Sequence, residues 1–367
     1  MNYYMPTRLY CGSDCVRQHA KELYALGDCC LVVTEGQAAK ASGALDDVSE
    51  VLSQGGVRRF VWEGVTPNPP VANCMEAGRR FASEGVRYVV GIGGGSALDA
   101  AKAVAVFAAN PTLDEAGFYA FAWDVDPLPI VLVGTTAGTG SEVTKVSVLT
   151  DSVARKHSIH DDRLYATLSF GDSTYTHSCP SAVTLSCGVD VIAHATESYF
   201  SHKADEVSRA FAIRATMLAI DPLTHAMQGA ELNDEQRRQL YEASILGGLA
   251  INTTGTCFPH NVGYYLTENY GVPHGFACAI FLPQMISCVR SFDEEYANAF
   301  FRQVGIDEES FCDLVRGCVP KYDITMTDAQ IQQGLPRWEN NGSVQNTRAS
   351  VSVEDIHKML LHLFARQ

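Results

Sequence analysis

Four short apolar runs, each ending in a turn signal, constrain this chain more than any other feature of its sequence. They are Cys29-Cys30-Leu31-Val32-Val33 before Thr34-Glu35-Gly36, and Arg59-Phe60-Val61-Trp62 before Pro67-Asn68-Pro69-Pro70. Tyr88-Val89-Val90-Gly91-Ile92 follows, running straight into glycines, and then Ile130-Val131-Leu132-Val133 before Gly134-Thr135-Thr136-Ala137-Gly138. Successive side chains of a strand point to opposite faces, so a run that is apolar throughout must be covered on both sides. Parallel sheets sandwiched between helices meet that demand. Helical patterns at Ala72 to Ala82 and Ala97 to Ala108 supply the cover.

After about Pro180 convincing strands vanish. Ser181–Ser201, Asp205–Met227, Asp234–Ile251, Phe276–Cys288 and Val353–Phe364 read as helices, and Ser352 is placed to cap the last. Pro336 to Ser350 reads as an irregular surface loop. A chain of 367 residues is also long for one core. The expectation is a Rossmann-like α/β N-terminal dinucleotide-binding domain over 1–179 and an all-α C-terminal domain over 180–367. A cleft between two such domains is a natural place for chemistry.

Charge narrows the partners. With 27 basic against 42 acidic side chains the net charge is −15, and no basic stripe offsets it. Phosphate backbones repel such a surface, so no nucleic-acid partner is expected. The N-terminus has neither the basic residues nor the apolar run of a signal peptide. No stretch reads as the ~20 apolar residues of a membrane span. A soluble, cytoplasmic protein is expected, and its 12 cysteines then read mostly as reduced, buried small hydrophobes, their number carrying no function.

The chemistry-bearing patterns begin at Gly93-Gly94-Gly95-Ser96, which follows a strand and opens a helix. Glycines let the backbone approach a pyrophosphate, and free N–H groups at a helix start favour an anion. The loop Gly134-Thr135-Thr136-Ala137-Gly138-Thr139-Gly140-Ser141 also follows a strand and offers four hydroxyls. Two such loops at the carboxyl ends of parallel strands lie where open α/β sheets bind ligands. Glu35, closing the first strand, has the charge to accept from a ribose and to repel a 2′-phosphate, favouring NAD over NADP; a solvated loop glutamate is the alternative. Asp190 and His194 are four apart in a helical stretch and share a face. With His260 and His274 they make one carboxylate and three imidazoles, a set that suits Fe²⁺ or Zn²⁺. On spacing alone, an i,i+4 pair of this kind is more often structural.

Taken in order, these segments make the chain resemble the iron-containing (group III) alcohol dehydrogenases along nearly its whole length. The carrying residues are Asn68-Pro69, Gly93-Gly94-Gly95-Ser96 with Asp99 and Lys102, and Thr135-Thr136-Ala137-Gly138-Thr139 with Ser141-Glu142-Val143-Thr144. They continue with Gly188-Val189-Asp190, His194, Ala243-Ser244, Gly247, His260 and Pro273-His274-Gly275. The resemblance implies a metal on Asp190, His194, His260 and His274, with Fe²⁺ first and Zn²⁺ second. It implies cofactor contacts from Gly94, Gly95, Asn68, Ser96, Asp99, Thr135, Thr136, Thr139 and Lys156. It further implies a homodimer or larger homo-oligomer that moves a hydride between nicotinamide and a small alcohol or carbonyl compound.

Two positions depart from the family pattern or vary within it. A second histidine usually stands four residues after the third ligand, helping to move the proton; here that residue is Tyr264, the one catalytic candidate. At position 35 relatives carry aspartate or glycine, and Glu35 keeps the charge with an extra methylene. Two rival functions follow: a reductase of acidic substrates, resembling the maleylacetate reductases, and a nucleotide-binding protein silenced by the change at Tyr264.

Overall fold

The computed structural model describes residues 3–365. Its order of elements is the expected one, an α/β half and then an all-helical half. The chain forms two compact units, Tyr4–Pro180 and the part from Ser181 onward.

The first unit is built on eight strands: β1 Arg8–Cys11, β2 Cys29–Thr34, β3 Arg58–Trp62, β4 Tyr88–Gly93, β5 Ile130–Gly134, β6 Val146–Thr150, β7 Lys156–His160 and β8 Leu168–Gly171. Six form one all-parallel sheet in the order β1-β8-β5-β4-β2-β3, and β6 and β7 form an antiparallel hairpin. Strand alternation divides the apolar residues between two cores. Leu31, Val33, Val89, Ile130 and Leu132 face the helices Val71–Ala82 and Gly95–Ala109. Cys30, Val32, Val90, Val131 and Val133 face helix Ala44–Gln54 on the other side. Each such side chain, fully buried, contributes about 1.5–3 kcal/mol of transfer free energy.

The register of this sheet sets up the ligand loops. Thr34 pairs with Ile92, and Gly93 with Gly134. Glu35, the glycine run and the threonine loop therefore leave the sheet side by side at its carboxyl edge.

Four strands and several helices, among them Ala44–Gln54, Phe258–Tyr270, Glu294–Val304 and Glu308–Cys318, were not foreseen. β1 and β8 are four residues each, too short to show a pattern, while β6 alternates half-buried and buried residues over only five. Helix Phe258–Tyr270 opens at a proline and is apolar on one side only. The single helix expected over Phe276–Cys288 is two, His274–Ala279 and Leu282–Phe292, the second started by Pro283 at its first turn. The expected loop from Pro336 contains the turns Leu335–Trp338 and Gly342–Asn346, and Trp338 is 1% exposed, so it is anchored rather than purely superficial. One correction concerns hydropathy. By length and composition His274–Phe292 would pass for a membrane span, yet it contains a turn between its two helices and 56% of it is buried within the fold, as in a core segment. Phe118 and Trp123 of the aromatic run Phe118–Trp123 join the core under the sheet.

Candidate metal centre and nucleotide loops

In the second unit the chemistry is laid out along helix Ser181–Tyr199, buried from Gly188 to its end. Asp190, His194 and Glu197 stand at i, i+4 and i+7, on one face. They are 3%, 5% and 0% exposed, a burial that charged groups tolerate only with partners.

Those partners arrive from two other helices. His260, third residue of helix Phe258–Tyr270, sets Nε2 3.6 Å from Asp190 Oδ1, and His194 Nε2 is 3.9 Å from Oδ2. The His194 and His260 rings stack at 4.8 Å, and His274 meets His260 edge-on at 5.2 Å. His274 gets this close because Gly275 follows it: a Cβ there would lie 1.9 Å from the carbonyl oxygen of Ser186. Tyr264, one turn beyond His260, lies over His274 with ring centres 5.3 Å apart and planes 22° from parallel.

Two residues of this centre escaped the sequence reading. Glu197 Oε1 accepts from His260 Nδ1 at 2.5 Å, and Oε2 accepts from the Cys257 amide at 2.7 Å. With Glu197 ionised, Nδ1 carries the proton and Nε2 turns its lone pair toward Asp190, as in carboxylate–histidine–metal arrangements. Burial pushes the Glu197 carboxyl up to about 8, against the Cys257 hydrogen bond that favours its charge. The i, i+4, i+7 spacing from Asp190 was the available signal. Cys278 is the second: Asp190, His260, His274 and Cys278 each offer a donor atom, all within 4.8 Å of one another. It lies four residues after His274 on the same short helix.

A divalent cation fits these residues. Asp190 Oδ1 is buried and accepts no hydrogen bond, a costly state that a bound cation would relieve. Imidazoles and a carboxylate are the donors such ions take.

In the first unit, the two loops touch. A Cβ on Gly94 would lie 3.2 Å from Thr136, and one on Gly95 2.6 Å from Cγ2 of Thr139, so a side chain at either position would crowd the two threonines. Gly94, Gly95, Ser96, Thr136 and Thr139 are half-buried and open to a ligand, whereas Thr135 is 5% exposed. Glu35 is half-buried, and burial raises its carboxyl above the usual range. Asn68 adopts a left-handed φ of 53°, and its carbonyl accepts from Thr150 Oγ1 at 2.9 Å. Thr150 pairs across the hairpin with Lys156, which brings Lys156 to the same corner.

Asp99 is committed to the protein. Its oxygens accept from Ser141 Oγ at 2.7 Å and from the Val148 amide at 2.9 Å. Beside it Lys102, 0% exposed, donates to Ser141 O, Ser141 Oγ, Thr144 O and Val146 O at 2.7–3.0 Å. Burial draws the Lys102 ammonium down to about 8 and pushes the Asp99 carboxyl up. The two residues pin the threonine loop and the hairpin to the helix that the glycines open. His157, His160, His177 and His202 are exposed.

Comparison with known proteins places both units. Residues 6–173 match the model for iron-containing alcohol dehydrogenases, and residues 184–335 that for the C-terminal part of the Fe-containing alcohol dehydrogenase family. Alcohol dehydrogenase 4 of Schizosaccharomyces pombe is 31% identical over 76% of this chain, and the match spans 66% of that protein, just under two thirds. An iron-containing alcohol dehydrogenase from Thermotoga maritima superposes with a TM-score of 0.91 at 32% identity, covering 98% of each chain. Sulfoacetaldehyde reductase from Bifidobacterium kashiwanohense, solved with NAD⁺, gives a TM-score of 0.87 at 26% identity over 99% of this chain and 98% of its own.

Proposed function

The chain belongs to the iron-containing alcohol dehydrogenase family, and on that premise we propose that it interconverts a small alcohol and its aldehyde or ketone with NAD(H). The observation that carries the reading is the convergence of His260, His274 and Cys278 on Asp190, one of whose buried oxygens accepts no hydrogen bond. When bound, a divalent ion acts as Lewis acid toward the substrate oxygen while the nicotinamide gives or takes the hydride.

The chain's own residues have separable tasks in this reading. Asp190, His194, His260 and His274 hold the ion, and Glu197 fixes the tautomer and ring angle of His260. Gly94, Gly95, Ser96, Thr136 and Thr139 cradle the pyrophosphate. Asn68 and Lys156 reach the cofactor from the hairpin corner, while Thr135 and Asp99 shape the loops from within. Glu35 accepts from the adenosine ribose and repels a 2′-phosphate. Tyr264 orients substrate or nicotinamide through its hydroxyl while its ring rests on His274. We place the enzyme in the cytoplasm as a homodimer or larger homo-oligomer, free of nucleic acid and membrane.

The test is a screen of short alcohols, diols and aldehydes with NAD(H) and NADP(H), on protein loaded with Fe²⁺ or Zn²⁺. Turnover that chelation abolishes is expected. Turnover that persists after complete removal of the ion overturns the metal reading, and its absence with every substrate leaves the silent nucleotide-binding alternative. The likeness to a sulfoacetaldehyde reductase supports a second reading, an acidic aldehyde as substrate, which anionic aldehydes in the same screen decide.

A further inference from the structure

We infer that Cys278 is itself a metal ligand, so that this centre offers a thiolate beside its carboxylate and imidazoles. The inference rests on the metal reading above and adds to it a donor of different chemistry.

The separations carry the argument. Ligand bonds to a tetrahedral ion of about 2.0–2.1 Å for nitrogen and oxygen and about 2.3 Å for sulfur put neighbouring ligands about 3.3–3.6 Å apart. Cys278 Sγ is 3.6 Å from His274 Nδ1 and 3.8 Å from Nε2, and His260 Nε2 is 3.6 Å from Asp190 Oδ1. These two pairs are spaced like the edges of a coordination polyhedron, and the other separations among the four residues lie within 4.8 Å. His194 lies outside that quartet, its ring stacked on His260 and its Nε2 3.9 Å from Asp190.

Backbone geometry fixes the sulfur there. His274 and Cys278 are one turn apart on helix His274–Ala279, so they share a face. The clash that holds position 275 to glycine keeps that helix against the Asp190 helix. Cys278 is 0% exposed, which shields a metal-bound sulfur from water.

On binding, the Cys278 S–H bond breaks, its proton passes to solvent, and the sulfur lone pair forms the bond to the ion; no electron is transferred. A thiolate shifts preference toward thiophilic ions, Zn²⁺ and Co²⁺, relative to a site of imidazole and carboxylate alone.

Cobalt reads this directly on the full-length chain. Protein stripped by chelation is titrated with Co²⁺ while two signals are followed: visible d–d bands for binding, and the near-ultraviolet thiolate-to-cobalt charge-transfer band for sulfur ligation. Wild type is expected to show both. Cys278→Ser should keep the d–d bands, lose the charge-transfer band, and bind Zn²⁺ about tenfold or more weakly. If that variant does not fold, Cys278→Ala and X-ray absorption of the Zn²⁺-loaded wild type, which should show one sulfur at about 2.3 Å, replace it. Cobalt d–d bands in wild type without the charge-transfer band overturn the thiolate and leave the metal centre standing. A charge-transfer band that survives in Cys278→Ser overturns it too. No cobalt uptake at all overturns the metal reading and this inference with it.

Discussion

Replacing Lys102 with methionine should loosen the nucleotide loops by a calculable amount. Methionine keeps the length and apolar stem of lysine but removes the ammonium, leaving the acceptors at Ser141, Thr144 and Val146 without their donor. Ser141 O keeps a second partner in the Thr144 amide, so Thr144 O and Val146 O bear most of the loss. A buried acceptor stranded this way costs about 1–3 kcal/mol. Asp99 loses its nearby countercharge as well, although Ser141 and Val148 still bond it. Breaking a buried ionic network costs about 3–5 kcal/mol. Against this, methionine is spared the desolvation that draws Lys102 down to about 8. The balance is about 3 kcal/mol, which for a unit of this size lowers the melting midpoint by about 6–12 °C. With two units in the chain, the midpoint to follow is that of the transition NADH raises, because a ligand stabilises the unit it binds. NADH affinity should fall in parallel, since the threonine loop is tethered through the same lysine. Ser141→Ala, which keeps the cation, should cost about 1 kcal/mol. A Lys102→Met shift below about 2 °C with unchanged NADH binding would refute the tether.

Other expectations follow from the same geometry. Glu197→Gln should weaken metal binding about 10–100-fold while His260 stays in place, read by competition with a chromogenic chelator; unchanged affinity removes Glu197 from the centre. Tyr264→Phe should lower kcat about tenfold, about 1.4 kcal/mol, with the shape of the pH profile intact, and loss of the alkaline limb would make the phenol the titrating base instead. Gly275→Ala should lose metal and stability together, because the Ser186 carbonyl cannot yield by the distance required, and a variant that keeps both would contradict the packing. Burial raises the Glu35 carboxyl, so as pH falls it is neutralised earlier than a solvated glutamate and its repulsion of a 2′-phosphate is lost. The ratio of NADPH to NADH affinity, measured by fluorescence, should therefore rise from pH ~7.5 to pH ~5 and change less in Glu35→Gln; an equal rise in both proteins assigns the effect to the phosphate alone, whose second pKa is about 6.

The sequence was most readable where one physical demand dominates. Runs such as Leu31-Val32-Val33 and Val131-Leu132-Val133 are apolar at every position because both faces of the sheet are covered, so strand and parallel class could be read together. β6 and β7 serve a different purpose. They form a half-exposed hairpin whose Lys156 and His157 are polar, held by Lys102 and Asp99 through bonds that span 44 and 49 residues of chain. No local periodicity encodes that tether. Pro283 shows a related limit: the apolar pattern from Phe276 to Cys288 is continuous, but a proline in a first turn starts a new helix rather than extending the old one.

At the metal centre the limit is one of identity more than of position. Histidines and aspartates in a helical stretch invite a metal hypothesis, and Asp190, His260 and His274 do converge on one point. Glutamate and cysteine do not invite it, because both have commoner reasons to be where they are. A buried cysteine is usually a small hydrophobe, and Cys15, Cys30 and Cys74 are core residues of that kind. What separates Cys278 from them is its companion one helical turn earlier, His274, and a glycine between them that brings both against Asp190. Glu197 is set apart in the same way, by lying two turns beyond Asp190 on a helix with no exposed face at that end. A carboxylate on such a helix must be bonded, and the nearest donor that geometry allows is the ring of His260. For both residues the informative feature is the helical offset from a residue already suspected, which turns a search over residue types into a search over faces.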